Sequence, residues 1–302
     1  MAKILITGSS GLIGSALTRS LRANAINVLG VDKRPAGSTD VEHLLVPNDP
    51  MIPDLLKDVT GVIHLAGVSR VVWGQRDPRE CWDSNVHVTA TLIEAILHLH
   101  PSPWLIYASS REVYGQGKTL PLADDAPIAP LNVYASSKAA TEALIEQARK
   151  LRRLRAGILR FSTVFGGKED HPDRVLPAFM LAAVSGAPLI VNGAEVAIDP
   201  TWIDDVIDGI ERLRNALERN EIPERPILLA TGQLVRLVDL ASQICDCLRS
   251  ESKILVNSPR TYDVERFAGE PLYAKNFLAW QPRTSLSAAL KIYAEQFASP
   301  VA

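Results

Sequence analysis

The sequence predicts an α/β protein: a doubly wound parallel sheet with a smaller mixed α/β C-terminal lobe. Three observations predict it. Short apolar runs alternate with helical patterns through the first half, and strands that read as near-continuous apolar runs belong to parallel sheets covered on both faces. A Gly/Ser turn joins the first such run to the first helix. The 302 residues, 47% hydrophobic and 22% charged, suffice for one large α/β domain with an appendage and exclude a disordered or collagenous chain.

Taken in order, Ile4-Leu5-Ile6 is a buried strand, and Leu12, Ile13, Ala16, Leu17 and Leu21 follow at helical spacing. Val28-Leu29-Gly30-Val31 is a second strand ending at Asp32, and Val62 to Ala66 a third. A long helix follows Asp77-Pro78 and ends near Pro101. Trp104 to Tyr107 is a strand, Ala139 to Leu151 a helix, and Gly157 to Phe161 a strand. Beyond Gly166, prolines at 172, 177, 188, 200, 223 and 226 shorten the elements. Helices are expected at Asp204 to Arg219, Leu237 to Arg249 and Ser285 to Phe297, with a strand at Ile227 to Ala230. Residues 1–166, with a returning segment at about 196–231, form the expected first domain, and 167–195 with 232–302 the second.

Thirty-two Lys and Arg against 34 Asp and Glu leave a net charge of −2, which disfavours nucleic acid as a partner. The basic run Arg149, Lys150, Arg152, Arg153, Arg155 reads as the solvated end of a helix. The start Met-Ala-Lys has no secretory pattern, and the apolar stretch Phe179 to Val191 is too interrupted to span a membrane. Cys81, Cys245 and Cys247 suit a reducing compartment. The expected location is the cytoplasm. His98 and His100 lack a third ligand, so no metal site is expected. Trp73 and Trp202 flank the expected cleft but are read as core residues.

Thr7-Gly8-Ser9-Ser10-Gly11-Leu12-Ile13-Gly14 places glycines three apart at a strand–helix junction, which brings backbone N–H groups against a pyrophosphate. Asp32, ending the second strand, is placed to bond the hydroxyls of an adenosine ribose and to repel a 2′-phosphate. NAD is therefore favoured over NADP, although Lys33 and Arg34 follow at once. Tyr134 and Lys138 share a helix face, and the ammonium is expected to lower the phenol's pKa toward neutrality. Ser109-Ser110 follows a strand, at the end of a parallel sheet where active sites open.

With these pieces in order, the chain resembles the extended short-chain dehydrogenase/reductase superfamily, in its NAD-dependent epimerase/dehydratase branch, a Rossmann fold. His64-Leu65-Ala66-Gly67, Asn85-Val86, Ser110 to Gly115, Arg160 to Gly166 and Leu278 to Leu286 also match. The resemblance implies that Ser110 holds the substrate oxygen, Tyr134 is the base and Lys138 holds the nicotinamide ribose. It implies cofactor contacts from Gly8, Ser10, Gly11, Leu12, Ile13, Gly14, Asp32, Lys33, Asp49, Leu65, Ala66, Gly67 and Asn85, and substrate contacts from Ser110, Arg111 and Thr163. It also implies a nucleotide-sugar substrate, above all a UDP-hexose epimerised at C4, and a homodimer through the helices Asp83–Leu99 and Ala139–Leu151.

Three departures stand out. Thr163 replaces an expected Asn. Ile198 stands where a diphosphate-contacting Arg is expected, leaving Arg174, Arg260 and Arg266 as candidate replacements. Both departures leave a dehydrogenase or reductase of a non-nucleotide sugar or alcohol open as an alternative. Glu112 is either a second acid/base, as in a dehydratase, or a loop carboxylate paired with Arg111. A non-catalytic NAD-binding regulator is the remaining reading, and the Ser110, Tyr134, Lys138 trio argues against it.

Overall fold

A computed structural model describes residues 3–298. Residues 1 and 2, the beginning of the Met-Ala-Lys start, lie outside the described residues. Seven parallel strands form the main sheet: β1 (Lys3–Thr7), β2 (Asn27–Asp32), β3 (Val41–Glu42), β4 (Val59–His64), β5 (Trp104–Ser110), β6 (Ala156–Phe161) and β7 (Ile227–Leu229). Their spatial order is β7-β6-β5-β4-β1-β2-β3. The chain runs outward from β1 to β3 and then returns to β4 on the other side. That reversal opens a crevice at the carboxyl ends of β1 and β4.

Side-chain alternation along the strands divides the core. Ile4, Ile6, Ile63, Ile106 and Leu159 face one side, packed under helices α1 (Leu12–Ala23) and α5 (Ile203–Glu218). Leu5, Val62, Leu105 and Ile158 face the other, under α2 (Val88–His98) and α3 (Val133–Arg152). The long helix expected after Pro78 runs without a break to His98, as an α-turn at Pro78–Trp82, a π-turn at Asp83–His87 and α2. Asp77 caps it through the Glu80 amide at 2.9 Å. The helix expected from Ala139 starts six residues earlier, because Asn132 caps it: its Oδ1 accepts from the Ala135 amide at 2.8 Å. The third expected strand ends at His64, leaving Leu65 and Ala66 in a loop, and the two-residue β3 carried too short a signal to be read from the sequence.

The rest of the chain adds α4 (Val175–Ser185), α6 (Leu237–Leu248), α7 (Leu286–Ala298) and the parallel strand pair Leu189–Asn192 with Ile254–Asn257. Its apolar residues Phe179, Met180, Leu240, Ile244, Leu290 and Tyr293 belong to the same core as α1 and α5. Buried Asp199 accepts from the Thr231 amide (2.8 Å), the Thr231 hydroxyl (2.6 Å), the Gly232 amide (2.9 Å) and the Gly269 amide (3.1 Å). One carboxylate thus gathers three separate stretches of chain. In the basic run, Arg149 pairs with Glu146 and Arg155 donates to the Ser102 carbonyl at 2.8 Å, while the Arg152 side chain lies outside the described residues. Among the described residues, no helix is long and apolar enough to cross a membrane.

Candidate active site

A cleft of about 790 Å³ lies over the carboxyl ends of β1, β4 and β5. At its first end, the glycine loop is built for close approach. Gly8 has φ +72°, and a Cβ there would stand 2.7 Å from the Ala66 nitrogen. At Gly14 a Cβ would stand 2.1 Å from the Gly8 carbonyl oxygen, so the helix packs onto the turn only because hydrogen occupies that place. Gly11 starts α1 without a side-chain cap, and the first turn carries no acid. The opening N–H groups of α1 are therefore left for an anion. Gly8, Gly11, Leu12, Ile13 and Gly14 all line the cleft.

Asp32, at the end of β2, is buried at the cleft wall. Its oxygens accept from the Ser10 amide and the Arg34 amide, each at 3.0 Å, and Lys33 and Arg34 line the cleft beside it. This cradle, uncapped helix start and buried carboxylate fit a dinucleotide. Leu65, Ala66 and Gly67 form the opposite wall.

Ser10, Asp49 and Asn85 stand behind the cleft rather than on it. The Ser10 hydroxyl is spent on the Arg34 carbonyl and on Thr39. Asp49 accepts from the Val46 amide (3.1 Å), the Met51 amide (3.0 Å) and the His43 ring (2.7 Å). Burial alone would raise its pKa, but the bonds from Met51, His43 and Val46 hold it below the usual range. It therefore fixes the 43–46 loop, whose His43, Leu44 and Leu45 do reach the cleft. Asn85 donates to the Val68 carbonyl (3.1 Å) and to Ser137 (2.9 Å), and its oxygen would lie 2.4 Å from a Cβ on Gly67. Both are braces under a binding loop, a role that spacing in the sequence does not distinguish from contact.

Ser110, Arg111, Glu112, Tyr134, Lys138 and Thr163 meet at the second end. Ser110 caps the short turn Arg111–Tyr114 by accepting from the Glu112 amide at 3.2 Å, and its hydroxyl is near enough to the Tyr134 phenol to lower the phenol's pKa. The expected lowering of the phenol's pKa is not what the structure shows. Burial pushes Tyr134 up to about 12; the Ser110 hydroxyl and Arg174 pull it down, and Glu112 pushes it further up. The ammonium does not offset this, because Lys138 Nζ lies 5.9 Å from the Tyr134 ring centroid and donates instead to the Ala108 carbonyl at 2.8 Å. Burial in turn brings Lys138 down to about 8, against the upward pull of Cys81 and Glu142.

Glu112 pairs with Arg111 (2.8 Å) through one oxygen and accepts from Asn132 Nδ2 (3.3 Å) through the other. Arg111 also lies over the Phe267 ring, 5.2 Å from its centroid. The floor is stiffened by a buried pair: Glu142 accepts from Arg160 Nε (3.0 Å) and Nη2 (2.6 Å) and from the Ser109 hydroxyl (2.5 Å). Ile198 is buried beside Val235, so no cation stands there. Arg174 and Arg260 line the cleft, whereas Arg266 is exposed outside it. Arg70, unread in the sequence, also lines it, paired with Asp173 and lying 5.4 Å from the centroid of Trp73. Trp73 is thus a wall residue, packed edge-on against His171 at 4.6 Å, while Trp202 sits in the core against Phe165 and Tyr293.

Comparison with known proteins fits this arrangement. The model of the NAD dependent epimerase/dehydratase family matches residues 4–226. The chain is 26% identical over 327 residues to UDP-glucuronate 4-epimerase 3 of Arabidopsis thaliana, covering 97% of this chain and 76% of the relative. The solved structure of MoeE5 in complex with UDP-glucose and NAD superposes with a TM-score of 0.89 at 28% identity, covering 97% of this chain and 98% of that one. The UDP-glucuronic acid 4-epimerase of Bacillus cereus, solved with UDP-glucuronic acid and NAD, shares the fold at TM-score 0.89, with 24% identity and 98% of each chain covered. With the family match spanning most of the chain and a cleft shaped for a dinucleotide, this protein belongs to the NAD dependent epimerase/dehydratase family and is an NAD-dependent enzyme.

Proposed function

We propose that the chain is a nucleotide-sugar 4-epimerase acting on a UDP-hexose. The observation that carries this reading is the meeting of Ser110, Tyr134 and Lys138 on one wall, at the end of the cleft away from the glycine loop. When bound, NAD supplies the acceptor for the hydrogen and electron pair that leave C4, and a positive charge that favours a phenolate. Ser110 holds the C4 oxygen. Tyr134 takes the hydroxyl proton from that oxygen and gives it back once the 4-keto ring has presented its other face. Lys138 holds the nicotinamide ribose. Gly8, Gly11, Leu12, Ile13, Gly14, Asp32, Lys33 and Leu65 to Gly67 hold the rest of the cofactor, with Ser10, Asp49 and Asn85 bracing them. Arg174 and Arg260 take the place of the absent arginine at 198, and Arg111 and Thr163 flank the sugar.

Glu112 supports a second reading, elimination of water after the same oxidation. Its position on the cleft wall favours this reading; the occupation of both its oxygens by Arg111 and Asn132 favours epimerisation. Incubation with UDP-glucose, UDP-glucuronate, dTDP- and GDP-sugars, followed by mass and NADH absorbance, tests the proposal. An epimer of unchanged mass without net NADH is the expected product. Loss of one water would give the dehydratase, and steady NADH a net dehydrogenase of the kind that Thr163 and Ile198 leave open.

The proposal extends to a cytoplasmic homodimer whose substrate lobe is 167–195 with 232–302. Its support is the apolar groove of about 250 Å³ between α2 and α3, which includes Ile93, Leu97, Leu144 and Leu151. Leu144 and Leu151 are 38% and 76% exposed, more than an isolated chain gains from. Sedimentation as a monomer at micromolar concentration would count against the dimer.

A further inference from the structure

We infer that Asn132 is a positioning residue that ties the substrate end of the cleft to the Ser110–Tyr134 pair, an inference that rests on the epimerase reading for its kinetic arm. Asn132 is 5% exposed, and the whole of its amide is used. Its oxygen accepts from the Ala135 amide at 2.8 Å, which starts α3 at Val133, one residue before Tyr134. Its nitrogen donates to Glu112 Oε2 at 3.3 Å and to the Tyr262 carbonyl at 3.2 Å.

The three partners belong to three parts of the site. Ala135 belongs to the helix that carries Tyr134 and Lys138. Glu112 belongs to the turn whose amide holds the Ser110 hydroxyl. Tyr262 lies between Arg260 and Asp263, both on the cleft wall. Arg111 strengthens the same join, since it pairs with Glu112 and lies on the Phe267 ring. A ligand that draws on Arg260 or Asp263 therefore pulls, through the Tyr262 carbonyl and one amide, on both members of the Ser110–Tyr134 pair. A cap alone would need only an oxygen; serine caps helices as well as asparagine does. The two donor bonds are what a cap does not require.

Asn132→Ser keeps an oxygen for the cap and removes both donors. Glu112→Gln breaks the same link from the other side, because its amide, with its oxygen turned to Arg111, meets Asn132 donor to donor. The measurements are bound NAD, melting temperature, kcat and KM on the sugar the wild type turns over, and amide hydrogen exchange of residues 258–268 in the holoenzyme. For Asn132→Ser, NAD content is expected to stay at the wild-type level and melting to shift by only a few degrees. We expect kcat to fall about tenfold and KM to rise severalfold, since displacements well below 1 Å already slow a positioned reaction. In the Glu112→Gln background the same substitution is expected to cost at least threefold less, as coupled residues do. Exchange in 258–268 is expected to quicken.

Effects of the two substitutions that multiply, or unchanged exchange in 258–268, would overturn the inference. A wild type that turns over no nucleotide sugar would overturn the epimerase reading instead, and the exchange measurement, which needs no substrate, would still decide the role of Asn132.

Discussion

The two ends of the cleft are made of different material. The cofactor end is mostly backbone: Gly8, Gly11 and Gly14 fall within one turn and one helix start, and the groups they expose are main-chain N–H groups and a single carboxylate, Asp32. The substrate end is made of side chains that meet from far apart. Asn132 reaches Glu112 across 20 residues and Tyr262 across 130. A backbone site is set by conformation, so small residues in a short span specify it. A side-chain site is set by the tertiary fold, so residues far apart in the chain specify it. The expectation that follows is that each end can be altered without the other, and substitutions at the two ends test it.

Tyr134 lies at the substrate end, and its loss gives the largest effect. Tyr134→Phe removes the group that moves the proton and leaves the ring's packing against Val68 and Cys81 in place. A fall in kcat of about 10²–10⁴ with unchanged bound NAD is expected from single-turnover and steady-state assays. Undiminished turnover would dissolve the site. Next in size is Gly14→Ala. With a Cβ 2.1 Å from the Gly8 carbonyl, α1 must shift off the turn. NAD affinity measured by calorimetry is expected to drop about a hundredfold or more, equivalent to about 3 kcal/mol. If NAD binding survived intact, the cofactor end would not be a backbone site.

Asp199→Asn probes the support behind the other end, since the Asp199 carbonyl accepts from the Ser162 hydroxyl (2.6 Å) and the Thr163 amide (3.1 Å), both on the cleft wall. The carboxylate faces three amide N–H groups and a hydroxyl, and an asparagine there would turn an NH₂ toward donors. Burial raises this carboxyl's pKa, against the pull of the Thr231 side chain and of the Thr231, Gly269 and Gly232 amides, so the site already bears a desolvation cost. A destabilisation of about 2–3 kcal/mol is expected from denaturant unfolding, with KM for the sugar raised and the NAD content of the folded enzyme unchanged. Equal losses of NAD and sugar binding would show that the ends are coupled after all.

The same contrast governs what could be read from the sequence. The glycine loop, Asp32, the parallel sheet implied by alternating elements and the Ser110, Tyr134, Lys138 trio were legible because each is a local pattern tied to a strand or helix end. Asp49 and Asn85 were located as cofactor residues, yet they lie one layer behind the cleft, since a buried acid or amide near a binding loop carries the same local signal whether it touches ligand or backbone. Arg70 and His171 were not legible, because nothing local places 70 beside 173. Asn132 had a signal that went unread: an asparagine just ahead of a helical pattern is a cap, and it would have moved the start of α3 from 139 back to 133. The pKa of Tyr134 was misjudged because spacing shows which side chains share a helix face, but not that the lysine turns to the Ala108 carbonyl while the phenol is buried.

Lys138 gives the smallest effect on stability and the sharpest test of that last point. In the folded chain burial brings its pKa down to about 8, from an ordinary value of 10.5. Between those values the unfolded chain binds more protons than the folded one, so stability rises with pH across the window, and below about 8 the full cost of the buried ammonium is present. Lys138→Met removes that cost together with the bond to the Ala108 carbonyl, worth about 1 kcal/mol. Melting at pH 7 is expected to rise by about 2–4 °C while turnover is lost. The gain should shrink as pH climbs from about 8 toward 10.5, because the wild-type lysine sheds its proton there and the two proteins then differ only in the carbonyl bond. A gain that stays flat with pH would place the cost in packing rather than in charge, and the ammonium would then be better solvated than its burial among Tyr107, Tyr134 and the end of β5 implies.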